Sequence, residues 1–232
     1  MRIFLWSVAA FLAVTVLVMM LVKSQHIKHM AKNGDVDAQS YLGWCYLEGK
    51  GVARNYEKAE KWLRMAAEKG DPGAQVNLGW MYDKGQGIAK NETEAMKWYL
   101  LAAEKGFPAA QLNIGNLYRG GRGVVQNDVE AVKWYRMAAE NGFAAAQFNL
   151  ALMYKEGMGV AQDEAEAEKW YRMAAENGYT DAQVVLGAMY VLGMGVAQNE
   201  AEAERLFRMA AEKGDRDARK ALKTLKKKRS KP

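Results

Sequence analysis

A shift of 36 residues superimposes the chain on itself without a gap, laying Ala38-Gln39 on Ala74-Gln75, Ala110-Gln111, Ala146-Gln147 and Ala182-Gln183. Trp62, Trp98, Trp134 and Trp170 coincide under the same shift, and Leu206 takes the tryptophan's place in the fifth copy. Gly49/Gly51 recur as Gly85/Gly87, Gly121/Gly123, Gly157/Gly159 and Gly193/Gly195. A unit this short cannot bury its own apolar face. The copies must therefore stack on one another as a solenoid.

Each copy reads as two helices, because its apolar and small residues fall at helical spacing between glycines. In the third copy Ala110, Ile114, Leu117 and Tyr118 share one face of the first helix, helix A. Ala131, Trp134, Tyr135, Ala138 and Ala139 line the second, helix B, and Gly142 stands where a left-handed residue ends a helix at least cost. Asn55, Asn91, Asn127, Asp163 and Asn199 precede the five B helices and carry side chains suited to accept from free N–H groups. The alanine pairs at 66/67, 102/103, 138/139, 174/175 and 210/211 permit close helix approach, and the tryptophan and tyrosine are expected to fill the space beside them. Trp134→Ala is accordingly expected to cost about 3 to 5 kcal/mol if that ring is buried between repeats.

These residues resemble the Sel-1-like repeat, a relative of the tetratricopeptide repeat. Leu78, Gly79, Tyr82, Gly85, Gly87, Ala95, Trp98, Tyr99, Ala102, Ala103 and Gly106 show one whole copy of its pattern, with Ile88 replacing the usual valine. The resemblance covers about residues 35 to 226. It implies an all-α, right-handed α-solenoid of five helix-turn-helix repeats whose A helices line a concave surface. The repeats fall at 35–70, 71–106, 107–142, 143–178 and 179–214, followed by a capping helix and basic tail over 215–232. Lys220, Lys223 and Lys226 occupy positions that are apolar or small in earlier copies, which makes that last helix a polar cap.

Ile3 to Val22 is an uncharged run of 20 residues, long enough to span a bilayer as a helix. Arg2 precedes it and Lys23 ends it. A signal peptide usually has a shorter apolar stretch and a better cleavage site than Val22-Lys23-Ser24, so an uncleaved signal anchor over residues 1–24 is the favoured expectation. Residues 25–34 then form a juxtamembrane linker. Positive charge lies on both sides of the run and leaves orientation open. The expected setting is the cell envelope, with the repeats periplasmic or otherwise extracytoplasmic, or secreted if the signal is cleaved.

The formal charge of +6 is unevenly placed: residues 35 to 215 hold 20 basic and 26 acidic residues, a net of −6. A groove following phosphates needs its positive charge on the body of the fold, so no nucleic-acid partner is expected. The basic run Lys226-Lys227-Lys228-Arg229 is compatible with anionic lipid, nucleic acid or an acidic partner, and also with a helix end favoured by its dipole. Cys45 is the only cysteine, and His26 and His29 are the only histidines, so neither a disulfide nor a metal site is expected. No Gly-x-Gly copy continues as a phosphate loop or a dinucleotide turn, and no cofactor is expected. Glu68, Glu104, Glu140, Glu176 and Glu212 recur at one repeat position, as solvated or structural groups do. Asn91-Glu92-Thr93 fits a glycosylation acceptor, a pattern that chance supplies often.

Residues that vary on helix A are the candidate contacts. Three and six residues past the repeat alanine stand Tyr41 and Trp44, Asn77 and Trp80, Asn113 and Asn116, Asn149 and Leu152, then Val185 and Ala188. The first eight are the expected partner-binding residues, with Glu48, Lys84 and Glu156 a turn further on. Asparagines offer donor and acceptor together to a peptide backbone, and tryptophans supply apolar anchoring. The same residues also suit packing between helices. The expected function is a non-enzymatic scaffold or adaptor for a protein or peptide, with a membrane contact through the N-terminal helix. The alternative is an envelope protein recognising cell-wall material, or a β-lactamase-like enzyme of the cysteine-rich branch of the family. This chain lacks that branch's repeated cysteines.

Overall fold

The computed structural model describes residues 25–229, with side chains to residue 227. The described residues contain helices and no strand. They divide into two compact units, one ending at Lys105 and the other beginning at Gly106. In the first, helical residues 25–32 precede α1 (Val36–Glu48), α2 (Tyr56–Glu68), α3 (Pro72–Lys84) and α4 (Glu92–Ala103). The second contains α5 (Pro108–Gly120), α6 (Asp128–Glu140), α7 (Ala144–Glu156), α8 (Glu164–Glu176), α9 (Thr180–Leu192), α10 (Glu200–Glu212) and α11 (Arg216–Arg229). Among the described residues no helix is long and apolar enough to cross a membrane. The run Ile3–Val22 lies outside them.

Local chemistry sets the helix ends. Asn55, Asn91, Asn127, Asp163 and Asn199 accept from the backbone N–H three residues on, at 2.8, 3.0, 3.1, 2.9 and 3.0 Å, so every B helix has the cap its loop residue predicts. Helix A ends on the first glycine of each pair, in the left-handed region, at φ 72° for Gly49 and 60° for Gly121. The second glycine allows a close approach: a Cβ on Gly159 would stand 2.3 Å from the Asp128 carbonyl at the start of α6. Each loop closes when the cap residue's N–H donates to a helix A tyrosine carbonyl, as from Asn127 to Tyr118 at 3.0 Å.

The repeated glutamine has a buried structural role. Gln39, Gln75, Gln147 and Gln183 donate through Nε2 to the carbonyls of Ala31, Ala67, Ala139 and Ala175 at 2.9, 3.1, 3.0 and 3.0 Å. Each satisfies a carbonyl at the end of the preceding helix, where the intrahelical ladder runs out. Lys69 Nζ donates to Gly34 O and Gln39 Oε1, and Asn177 Nδ2 to Gly142 O and Gln147 Oε1, struts that tie one copy to the next.

The structure corrects one expectation about the core. Tyr99, Tyr135 and Tyr171 are fully buried on their B helices, as is Leu63 at the same position of the first copy, whereas Trp62, Trp98 and Trp134 are only half-buried; Trp170 alone among these tryptophans is buried. Tyr135 stands four residues after Ala131 and three before Ala138, on the stripe facing helix A, and Trp134 is rotated about 100° toward the edge where Met137 is exposed. The tyrosine ring lies over helix A glycine: a Cβ on Gly79 or Gly115 would come within 2.7 and 2.6 Å of Tyr99 and Tyr135. In the fourth copy Ala151 replaces that glycine opposite Tyr171. The last helix behaves as a cap, with Ala218 and Leu225 buried and Lys220, Lys223, Lys226 and Lys227 exposed.

Candidate partner-binding surface

In the first unit, α1 presents Tyr41, 46% exposed, beside half-buried Trp44, with ring centroids 5.7 Å apart. Lys50 Nζ sits 4.8 Å from the centroid of Trp44. Beneath them, burial pushes the Cys45 thiol above its ordinary range, so it is a protonated packing group at neutral pH. Ser40 Oγ donates to the Asp71 carboxylate at 2.7 Å and holds α1 beside the start of α3. On α3, Asn77 and Trp80 are half-buried, and Trp80 packs against the core that contains Leu47, Leu63 and Leu78. Lys84 is exposed and pairs with the buried Asp83 carboxylate at 2.8 Å.

In the second unit the asparagines divide. Asn116 Oδ1 accepts from the Tyr135 hydroxyl at 2.7 Å and from Asn149 Nδ2 at 3.3 Å, so this pair ties α5, α6 and α7 together. Asn113, one turn before Asn116, is half-buried and hydrogen-bonds no other side chain among the described residues. The same is true of Asn77 within the first unit. Leu152, Val185 and Ala188 are partly buried against the core of the second unit. Glu48 and Glu156 are exposed.

Leu192, at 60%, and Met194, at 45%, add an exposed apolar pair that the sequence reading missed. Its signal was available: ten residues past the repeat alanine the other copies carry Glu48, Lys84, Gly120 and Glu156, and only the fifth has leucine. The described residues hold no group of three or more metal-ligating side chains. His29 is exposed, with Nε2 3.0 Å from Asn33 Nδ2. A shallow cavity is lined by Glu168, Arg172, Tyr190 and the loop 196–199, where Arg172 donates to both Glu168 and Tyr190. Its charged groups thus neutralise one another.

Paired antiparallel helices, glycine-bounded turns and a variable A face define an α-helical repeat protein built to present a surface. The chain belongs to the Sel1 repeat family, which it matches at residues 36–71, 72–107, 108–143, 144–179 and 180–215. It is similar in structure to a protective antigen of uropathogenic Escherichia coli with an SLR fold, at 38% identity and a TM-score of 0.75. That likeness covers 84% of this chain and 42% of the antigen, so this chain spans less than half of the antigen's length. A Sel1 repeat protein from Oxalobacter formigenes is 34% identical with a TM-score of 0.77, over 87% of this chain and 89% of that one. An immunity protein from Pseudomonas aeruginosa shares the fold at 24% identity and a TM-score of 0.58, over 79% and 68% of the two chains. No curated protein matches the chain.

Proposed function

We propose that this protein is a non-catalytic scaffold that holds an extended segment of a partner protein against its A helices. Sel1 repeat proteins typically serve as interaction scaffolds, and the surface described here suits that use. The observation that carries the reading is the state of Asn77 and Asn113. Both are half-buried amides with donor and acceptor uncommitted to other side chains, on the variable face of their helices. A peptide backbone satisfies both atoms of such an amide. In the first unit Trp80, Trp44 and Tyr41 add aromatic area of the kind that anchors partners. Asn116, Asn149 and Leu152 support the surface from within and contribute less to contact.

The test captures partners by crosslinking on native membranes, then repeats the capture with Asn113→Ala and Trp80→Ala after checking that helicity is unchanged. Loss of the same partner with either variant is expected. Retention by both refutes the assignment of this face.

The proposal places the scaffold in the cell envelope, held by Ile3–Val22 as an uncleaved anchor with the repeats outside the cytoplasm. A C-terminal fusion to a reporter active only after export is expected to work. Activity of a reporter confined to the cytoplasm contradicts this placement.

A further inference from the structure

Exposed lysines on the B helices have acidic neighbours on their own helices, whereas α11 carries one acid among its many basic residues. Lys97, Lys133 and Lys169 each pair with a glutamate three residues earlier, Glu94, Glu130 and Glu166, at 2.9, 2.5 and 3.1 Å. On α11 the side chains of Arg216, Arg219, Lys220, Lys223, Lys226 and Lys227 are all exposed, against a single acid, Asp217, which pairs with Lys220 at 2.8 Å. Ala218 and Leu225 are buried and Ala221 and Leu222 pack on the core, so the apolar stripe of the helix is used up in holding it to the body. The outward face carries cationic charge, with neither an aromatic nor a large apolar side chain among its exposed residues.

We infer that α11 is an electrostatic contact for an anionic bilayer surface. A basic face without apolar residues binds lipid headgroups without inserting, and each basic side chain near such a surface strengthens binding by about fivefold. Single-stranded nucleic acid is held by a basic groove with aromatic platforms for its bases, and a duplex by basic side chains spread along its phosphates. Here the charge is confined to one helix and residues 35 to 215 carry a net −6. A flat anionic surface needs only the one face. The inference rests on the membrane placement proposed above, because a tether raises the local concentration of lipid enough for a weak contact to fill.

The full-length chain is reconstituted with vesicles of phosphatidylcholine alone, or with about one third phosphatidylglycerol, and lysine acetylation is followed residue by residue by mass spectrometry. Flotation with the neutral vesicles reports the anchor alone. Acetylation of Lys220, Lys223, Lys226 and Lys227 is expected to slow several-fold in the anionic vesicles and to recover at high salt, while Lys97, Lys133 and Lys169 keep their rates. The variant Lys223→Glu/Lys226→Glu, with helicity confirmed, is expected to lose the protection of Lys220 and Lys227. Equal rates in both vesicles, equal slowing of the control lysines, or protection by a duplex oligonucleotide but not by vesicles overturns the inference. A chain that fails to float with neutral vesicles yet is protected by anionic ones sinks the anchor and leaves the α11 contact standing.

Discussion

Removing the hydroxyl of Tyr171 is expected to stabilise the protein, whereas the same deletion at Tyr135 destabilises it. Both residues are 0% exposed and occupy the same repeat position in the same unit. The Tyr135 hydroxyl donates to Asn116 Oδ1 at 2.7 Å, and a buried hydrogen bond of this kind contributes about 0.5 to 1.5 kcal/mol net. Asn116 keeps the Asn149 amide when that hydroxyl goes, so the loss stays near about 1 kcal/mol. Tyr171 faces Leu152 where Asn116 would stand, and its hydroxyl has no partner among the described residues. Burying an unpaired hydroxyl costs about 1 to 3 kcal/mol, so Tyr171→Phe should recover about 1 kcal/mol after a small packing loss. The fifth copy already uses this solution, with Phe207 buried over Gly187. Urea unfolding followed by helical circular dichroism compares the two variants, which are expected to move the midpoint in opposite directions by a total of about 2 kcal/mol. Destabilisation by Tyr171→Phe as large as that by Tyr135→Phe refutes the reasoning, because the hydroxyl must then be satisfied.

Burial, and then the Glu156 charge, push the Tyr171 hydroxyl from 10.0 to about 12. From pH 10 to 12 the unfolded chain therefore loses this proton while the native state keeps it, and stability falls with rising pH by up to about 1.4 kcal/mol per unit. Tyr171→Phe should flatten that part of the profile, measured as unfolding at pH 9 and 11.5; an unchanged slope contradicts it. Trp170→Ala, at a buried ring that donates to Glu166 at 2.9 Å, should cost about 3 to 5 kcal/mol, and Trp134→Ala at a half-buried one clearly less. Equal losses in thermal unfolding would show that the edge position packs as tightly as the buried one. Lys213→Asn should stabilise by about 1 kcal/mol, because Lys213 Nζ donates to Gly178 O and leaves Gln183 Oε1 buried without a partner, whereas Asn177 at the same repeat position reaches both Gly142 O at 3.4 Å and Gln147 Oε1 at 2.9 Å. A lowered unfolding midpoint would count against it.

The elements whose form depends on one residue's own chemistry were legible from the chain. An asparagine before a helix caps it and a glycine after one bends left-handed, whatever lies nearby, so the helix pairs and their turns follow from residue identity. The division of labour between adjacent aromatic residues was not. Trp134 and Tyr135 have similar apolar character, and only the angle between them on the helix decides which meets Gly115 and which lies at the edge. Nor does the gapless period mark a boundary between Lys105 and Gly106, where one compact unit gives way to the next. The buried role of the repeated glutamine was equally hidden, since its partner carbonyl lies on the preceding helix.

The candidate surface shows the same distinction. Asn77, Asn113 and Asn149 are one residue type at one repeat position, and superposition alone treats them as equals. Their fates diverge through a second position, three residues later. Asn116 gives the Asn149 amide an acceptor on a neighbouring helix within the same unit. For Asn77 on α3 the equivalent position of the preceding copy is Trp44 on α1, and an indole offers no acceptor. Packing between repeats can consume an amide only where the neighbouring copy supplies the complementary atom. Variation on the A helices therefore chooses which amides stabilise the stack and which stay uncommitted, and it can do so without disturbing the tyrosine, glycine and glutamine contacts that build the fold.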